Sequence, residues 1–120
     1  MKPKILILGS SSFSGASMVN YLLDKNKYKL YGTYRRRKNN SYLPYKFNKN
    51  LRLFKEYKID LSKNSKSLLN LVVRLKPNYI IDFASICMVN ESWKNSEIYF
   101  QTNVLSKTKM VEYLSKSSFL

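Results

Sequence analysis

The chain has 120 residues, enough for one domain with a real core, and its 44% hydrophobic share is that of a globular protein rather than a disordered one. Lys and Arg number 22 against 7 Asp and Glu, a net charge of +15; this suits a nucleic-acid or membrane-surface partner, but the lysines are scattered along the whole chain, and net charge speaks to solubility and association rather than fold. With no histidine and a single cysteine, Cys87, the composition excludes a zinc site, a His general base, a Ser-His-Asp triad and an internal disulfide.

The first apolar run, Lys4 to Leu8, is too short for a signal peptide and ends at Gly9. It reads as a strand buried on both faces, as in a parallel sheet. Gly9 to Gly15 is small and polar, hence a turn. A helix is expected from about Ser14 to Lys25, with Met18, Val19, Leu22 and Leu23 on its apolar face. Lys29 to Tyr34 reads as a second strand, in which Leu30, Gly32 and Tyr34 alternate with Lys29, Tyr31 and Thr33. Arg35 to Asn50 is a polar loop. Leu53 to Ile59 reads as a third strand that enters Asp60-Leu61. A helix capped within Ser62 to Ser67 carries Leu68, Leu69, Val72, Val73 and Leu75 as its stripe, and Lys76-Pro77-Asn78 stops it. Tyr79 to Ala84 reads as a fourth strand and Met88 to Asn95 as a loop. Ser96 to Lys116 reads as a last helix with Ile98, Phe100, Val104, Leu105, Thr108, Val111 and Leu114 at mostly helical spacing.

Strands alternating with helices imply an α/β fold: a Rossmann-type parallel sheet with helices on both faces and right-handed crossovers. No repeat or linker divides residues 1–120. No run is long enough to span a bilayer, so a soluble cytoplasmic protein is expected.

A strand followed by Gly9, with Gly15 just inside a helix, is the context of a dinucleotide-binding turn. The first glycine allows the tight turn, and the last allows close packing of helix on strand. Free amides and the positive end of the helix dipole would face a pyrophosphate. Ser12 stands where a middle glycine is usual, and it could donate a hydroxyl instead, as could Ser10, Ser11 and Ser14. The same residues also suit a Ser- and Gly-rich turn with no ligand. An acid at the end of the second strand would hold the ribose 2′-hydroxyl of NAD. None lies between Asp24 and Glu56; the strand runs instead into Arg35-Arg36-Arg37-Lys38. Guanidinium groups pair well with a 2′-phosphate, which favours NADP over NAD, although a solvated basic loop would read the same way.

Together these features resemble the N-terminal part of the extended short-chain dehydrogenase/reductases, the NAD-dependent epimerase/dehydratases of nucleotide sugars. Ile7 to Gly15 is similar to that family's T-G-x-x-G-F-x-G turn; Phe13 and Gly15 match, while Leu8 and Ser12 depart from it. Tyr31 to Arg36 is similar to the G-x-x-R-R stretch of GDP-mannose 4,6-dehydratases, which use NADP. Asp60-Leu61 matches the family's Asp-Leu/Val pair, whose Asp contacts the adenine amino group. Leu75 to Ser85 resembles K-P-D-x-V-x-N-L-A-A, with Asp82 in place of Asn or His and Ser85 in place of the second Ala. Glu91-Ser92-Trp93 and Tyr99 to Val104 match the stretch that follows, including the T-N-V at the start of the dimer-forming helix, and Ser106 holds the family's small position. The resemblance implies cofactor contacts from Gly9, Ser11, Ser12, Phe13, Ser14, Gly15, Arg35, Arg36, Asp60, Leu61, Ala84 and Ser85. It also implies a nucleotide-sugar substrate and a homodimer in the intact family.

The family's catalytic Tyr-x-x-x-Lys, in which the Tyr is the general base, lies beyond the matched region. Tyr34 to Lys38 and Tyr42 to Lys46 have that spacing, but both precede the third strand and read as chance. The chain is therefore expected to be a truncated or split member, or a fragment, ending after the fourth strand and its helix. An exposed sheet edge and an exposed apolar helix face would follow, to be covered by a partner or a missing C-terminal half. Chemistry by the chain alone is not expected. Two other readings stand beside this one: an inactive fragment, and a nucleic-acid-binding module built on Arg35 to Lys49 with Tyr42, Tyr45 and Phe47 interleaved.

Overall fold

The computed structural model describes residues 1–36, 43–63, 65–85 and 89–118. Two compact units are present: Met1–Lys58 with Pro77–Phe83, and Ile59–Lys76 with Ala84–Leu120.

The first unit holds a four-stranded, all-parallel sheet of β1 (Lys4–Leu8), β2 (Lys29–Tyr34), β3 (Phe54–Lys58) and β4 (Tyr79–Asp82), in the order β3-β2-β1-β4. Ile5 to Leu8 are all buried, as the unbroken apolar run predicts for a central strand. β2 departs from the expected alternation: Leu30 to Thr33 are buried on both faces. Helix α1 (Phe13–Lys25) connects β1 to β2 and packs Ala16, Val19 and Leu23 into one cluster with Ile5, Ile7 and Leu30. These residues recur at three- and four-residue spacing, so they share one helix face. Met18 and Leu22 flank that cluster, half-buried. Asn26 ends α1 in the left-handed conformation, with φ 52°, its amide donating to the Leu23 carbonyl.

The β2–β3 connection is less polar in its role than its composition suggests. Over residues 43–53 it forms two short 3-10 turns, Pro44–Phe47 and Leu51–Leu53. Leu43 and Tyr45 are buried in the α1 cluster, and the Tyr45 ring meets Phe54 edge-on at 5.0 Å between centroids. The Tyr45 hydroxyl donates to Glu56 Oε2 at 2.9 Å. Asn48 Nδ2 donates to Asp24 Oδ1 and Asn20 Oδ1, both at 2.9 Å, and Asn50 Nδ2 donates to the Leu23 carbonyl at 2.8 Å. Two buried side chains and two asparagine clamps thus moor this segment on α1 without an α-helix of its own.

The second unit contains α2 (Lys66–Leu75), α3 (Val89–Ser92), α4 (Ser96–Phe100) and α5 (Ser106–Ser115); a π-type turn over Gln101–Leu105 joins α4 to α5. α2 buries Leu68, Leu71, Val72 and Leu75, whereas Val73, expected inside, is exposed. Ser65, at the N-cap of α2, makes no side-chain capping bond: its Oγ lies 3.4 Å from Ser106 Oγ instead of reaching back into the helix. Residues expected to form a loop before Ser96 include the short helix α3. In the last helical segment the buried residues are Thr102, Ser106 and Met110, while Ile98, Phe100, Val104, Leu105 and Val111 are exposed. The exposed apolar face expected there is present. Among the described residues, the Thr102 hydroxyl is buried without a hydrogen-bond partner.

Candidate functional site

The turn after β1 is built largely from its own backbone. Gly9 has φ 78°, a left-handed conformation that favours glycine. The amides of Gly9 and Ser10 both donate to the Thr33 carbonyl of β2, at 3.0 and 2.9 Å, and Ser10 Oγ donates to the same oxygen at 3.3 Å. Ser10 is fully buried, so its hydroxyl is committed to the strand and is not available to a ligand. The Ser12 hydroxyl is also engaged within the turn. It donates to the Gly9 carbonyl at 2.8 Å and accepts from the Gly15 amide at 3.0 Å, the geometry of a helix N-cap.

This pattern leaves a defined set of donors. The Gly15 amide is capped and the Ala16 amide donates to the Ser12 carbonyl at 2.8 Å. The amides of Phe13 and Ser14, the first two of α1, have no partner among the described residues, as expected of a helix N-terminus. No acidic side chain sits in that first turn to neutralise the dipole. Ser14 and Phe13 are exposed and Ser11 is half-buried, so their atoms are accessible. An anion would meet two open amides and the positive end of a 13-residue helix.

The glycines are set by contact as much as by dihedral. A Cβ on Gly15 would collide with the Gly9 carbonyl oxygen and stand 2.8 Å from Ser12 Oγ. Only a residue without a side chain lets α1 start this close to the end of β1. This cradle fits a pyrophosphate, for which close backbone approach and free amides are the requirements.

The exit of β2 adds charge at the same end of the sheet. β1 and β2 run parallel with Leu8 opposite Thr33, so Arg35 and Arg36 follow the carboxyl end of β2 just as Gly9 follows that of β1. Both arginines are exposed. Arg37 and Lys38 lie outside the described residues, as does the Tyr42 of the second Tyr-x-x-x-Lys spacing. Glu56, the next acid after Asp24, accepts from Tyr45.

In the second unit, Asp60 Oδ1 accepts from the Ser62 amide at 2.9 Å and from the Ser62 hydroxyl at 2.5 Å, which shapes the turn after Asp60-Leu61. Leu61 is buried, and its carbonyl accepts from Ser106 Oγ at 2.9 Å. Lys107 Nζ donates to the Ala84 carbonyl. Ser85 is exposed.

Two roles escaped the residue patterns. Ser106 is wholly buried and joins Leu61, Ser65 and Gln101, whose Nε2 lies 3.3 Å from its hydroxyl. Its only signal was the small-residue position in the family motif. Tyr45, one of the aromatics offered for base stacking, is buried and hydrogen-bonded to Glu56, which removes it from any such surface; Phe47 remains exposed and Tyr42 is outside the described residues. Among the described residues, no helix is long and apolar enough to cross a membrane.

The fold recurs among solved structures. One is the UDP-Glc/GlcNAc 4-epimerase of Campylobacter jejuni, with 25% identity and a TM-score of 0.73 over 92% of this chain and 32% of that one. Another is the UDP-glucuronic acid 4-epimerase of Bacillus cereus in complex with UDP-glucuronic acid and NAD, with 20% identity and a TM-score of 0.74 over 96% of this chain and 37% of that one. A third, ElxO with NADP bound, shares 20% identity with a TM-score of 0.70 over 97% of this chain and 50% of that one. The chain therefore spans between 32% and 50% of the length of these structures. No curated protein matches it significantly by sequence. The profile of GDP-mannose 4,6 dehydratase matches residues 6–119, nearly the whole chain, and with the parallel sheet and its glycine turn this places the protein in the GDP-mannose 4,6 dehydratase family.

Proposed function

We propose that the chain binds NADP, with NAD as the weaker alternative, as the cofactor-binding part of a nucleotide-sugar epimerase or dehydratase. The observation that carries this reading is the turn from Gly9 to Gly15: a left-handed glycine, a glycine with no room for a Cβ, and two open amides at an unneutralised helix N-terminus. The amides of Phe13 and Ser14 would bind the pyrophosphate, with Ser11 beside them and Ser12 shaping the turn. Arg35 and Arg36, exposed beyond β2 with no nearby acid in the sequence, would pair with a 2′-phosphate. Structures of this fold are recorded with NADP and with NAD, which supports a nicotinamide cofactor in general. For Asp60, Leu61, Ala84 and Ser85 the support is their match to the family's motifs.

When bound in an intact enzyme of this kind, the cofactor would supply a reversible hydride acceptor for a sugar carbon. This chain's residues would bind and orient the cofactor; the family's Tyr-x-x-x-Lys lies beyond the matched region. Self-association, or a segment carrying that region, belongs to the same proposal, and the exposed Ile98, Phe100, Val104, Leu105 and Val111 support it.

Calorimetric titration of the folded chain with NADP and NAD tests the reading. NADP is expected to bind more tightly than NAD. Arg35→Ala is expected to weaken NADP by roughly tenfold or more, the value of a charge-assisted bond, and to leave NAD unchanged. A cooperative melt with no heat from either nucleotide refutes the proposal.

A further inference from the structure

Gly32 lies in the middle of β2, far in sequence from the turn, and is buried. A Cβ there would overlap Ser10 Oγ, stand 2.6 Å from Ser10 Cβ and 2.8 Å from Phe54 Cζ. The Phe54 ring is the far end of a side chain and can shift. Ser10 cannot shift freely. Its amide and that of Gly9 are both tied to the Thr33 carbonyl, and its hydroxyl reaches the same oxygen. The side chain of Ser10 is fully buried in the space that the missing Cβ of Gly32 leaves open.

We infer that Gly32 is a positioning residue for the phosphate-binding turn, acting through Ser10. β2 thereby does two things at once. Gly32 and Thr33 seat the start of the turn, and two residues later the same strand delivers Arg35. A side chain at Gly32 pushes Ser10 out and breaks the three-donor mooring on Thr33, which displaces Gly9 and the turn that ends at Gly15. The consequence differs from loss of Arg35, because the turn serves the pyrophosphate common to both nucleotides. The inference rests on the proposed dinucleotide binding, but its steric part does not.

The test compares the full chain with Gly32→Ala, Ser10→Gly and the double variant, by thermal melting without nucleotide and by calorimetry with NADP and NAD. Gly32→Ala is expected to melt lower and to weaken NADP and NAD by the same factor, roughly tenfold or more, as expected for a shifted binding backbone. Adding Ser10→Gly removes the two Ser10 atoms that the new Cβ strikes and leaves only the Phe54 ring to shift. The double variant is therefore expected to melt higher and bind more tightly than Gly32→Ala alone, despite carrying one more substitution. Wild-type behaviour of Gly32→Ala, or a double variant no better than Gly32→Ala in the melt, overturns the inference. Loss of NADP binding with NAD binding intact also overturns it, since that is the signature of the arginine site. If the wild-type chain binds neither nucleotide, the cofactor reading fails, while the nucleotide-free melts still decide whether Ser10 and Gly32 are coupled.

Discussion

Replacing Ser12 with alanine separates two roles for its hydroxyl. In the structure that oxygen donates to the Gly9 carbonyl at 2.8 Å and accepts from the Gly15 amide at 3.0 Å. Both bonds lie inside the turn and need no ligand. Loss of an N-cap side chain costs about 1 kcal/mol. Loss of a second neutral hydrogen bond adds about 0.5–1.5 kcal/mol. Simple addition gives about 2 kcal/mol, which is an upper figure because the two bonds share one oxygen. For a chain of this size that corresponds to a fall in melting temperature of roughly 6–10 °C. Circular dichroism melts without nucleotide measure it. Ser12→Asp sharpens the test, because a carboxylate caps a helix as well as serine does but places negative charge where phosphates would bind. It should melt close to the wild type and bind NADP much more weakly. An unchanged melt for Ser12→Ala, together with a loss of NADP affinity of roughly tenfold, would refute the reasoning, since the hydroxyl would then be serving the ligand and not the turn.

Two further substitutions probe the parts that hold the site in place. Tyr45→Phe keeps the buried ring and its contact with Phe54 but removes the bond to Glu56, and is expected to cost about 1 kcal/mol in denaturant unfolding. A variant as stable as the wild type would show that the ring alone moors the β2–β3 connection. Ser106→Ala leaves the Leu61 carbonyl without its 2.9 Å donor in a fully buried position, and is expected to lower stability by about 1–3 kcal/mol. An unchanged unfolding midpoint would rule out that hydroxyl as a tie between Leu61 and α5.

Strand β1 and the core face of α1 were legible because their burial is set by local pattern. Ile5 to Leu8 is apolar at every position, and Val19 and Leu23 repeat at the helical period, so the core face has one solution. Helix α2 is different. Leu68, Leu69, Leu71, Val72, Val73 and Leu75 are all apolar, so periodicity permits more than one face. The structure buries Leu71 and exposes Val73, a choice made by what packs around the helix. The β2–β3 connection is more buried than its composition indicates for a related reason. Its Asn and Lys content reads as solvated, but burial there rests on Leu43 and Tyr45, while Asn48 and Asn50 spend their polar groups on α1.

The phosphate turn divides along the same line. Strand, Gly9, Gly15 and helix are recognisable in the sequence because tight turns and close helix–strand packing restrict residue type, and so is the absence of an acid between Asp24 and Glu56. What the four serines do is not. Ser10, Ser11, Ser12 and Ser14 are chemically alike, and each could offer a hydroxyl to a ligand. Tertiary structure assigns Ser10 to the Thr33 carbonyl and Ser12 to the helix cap. The last helical segment makes the point from the other side. By hydrophobicity Ile98, Phe100, Val104 and Val111 should be inside, but Thr102, Ser106 and Met110 are buried. A small polar residue can be buried when a carbonyl such as that of Leu61 satisfies it. Local pattern therefore located the four strands, the main helical segments and the glycine turn. Tertiary structure decided which hydroxyls face the protein and which helix faces are buried, because hydrogen-bond partners distant in sequence set those energies.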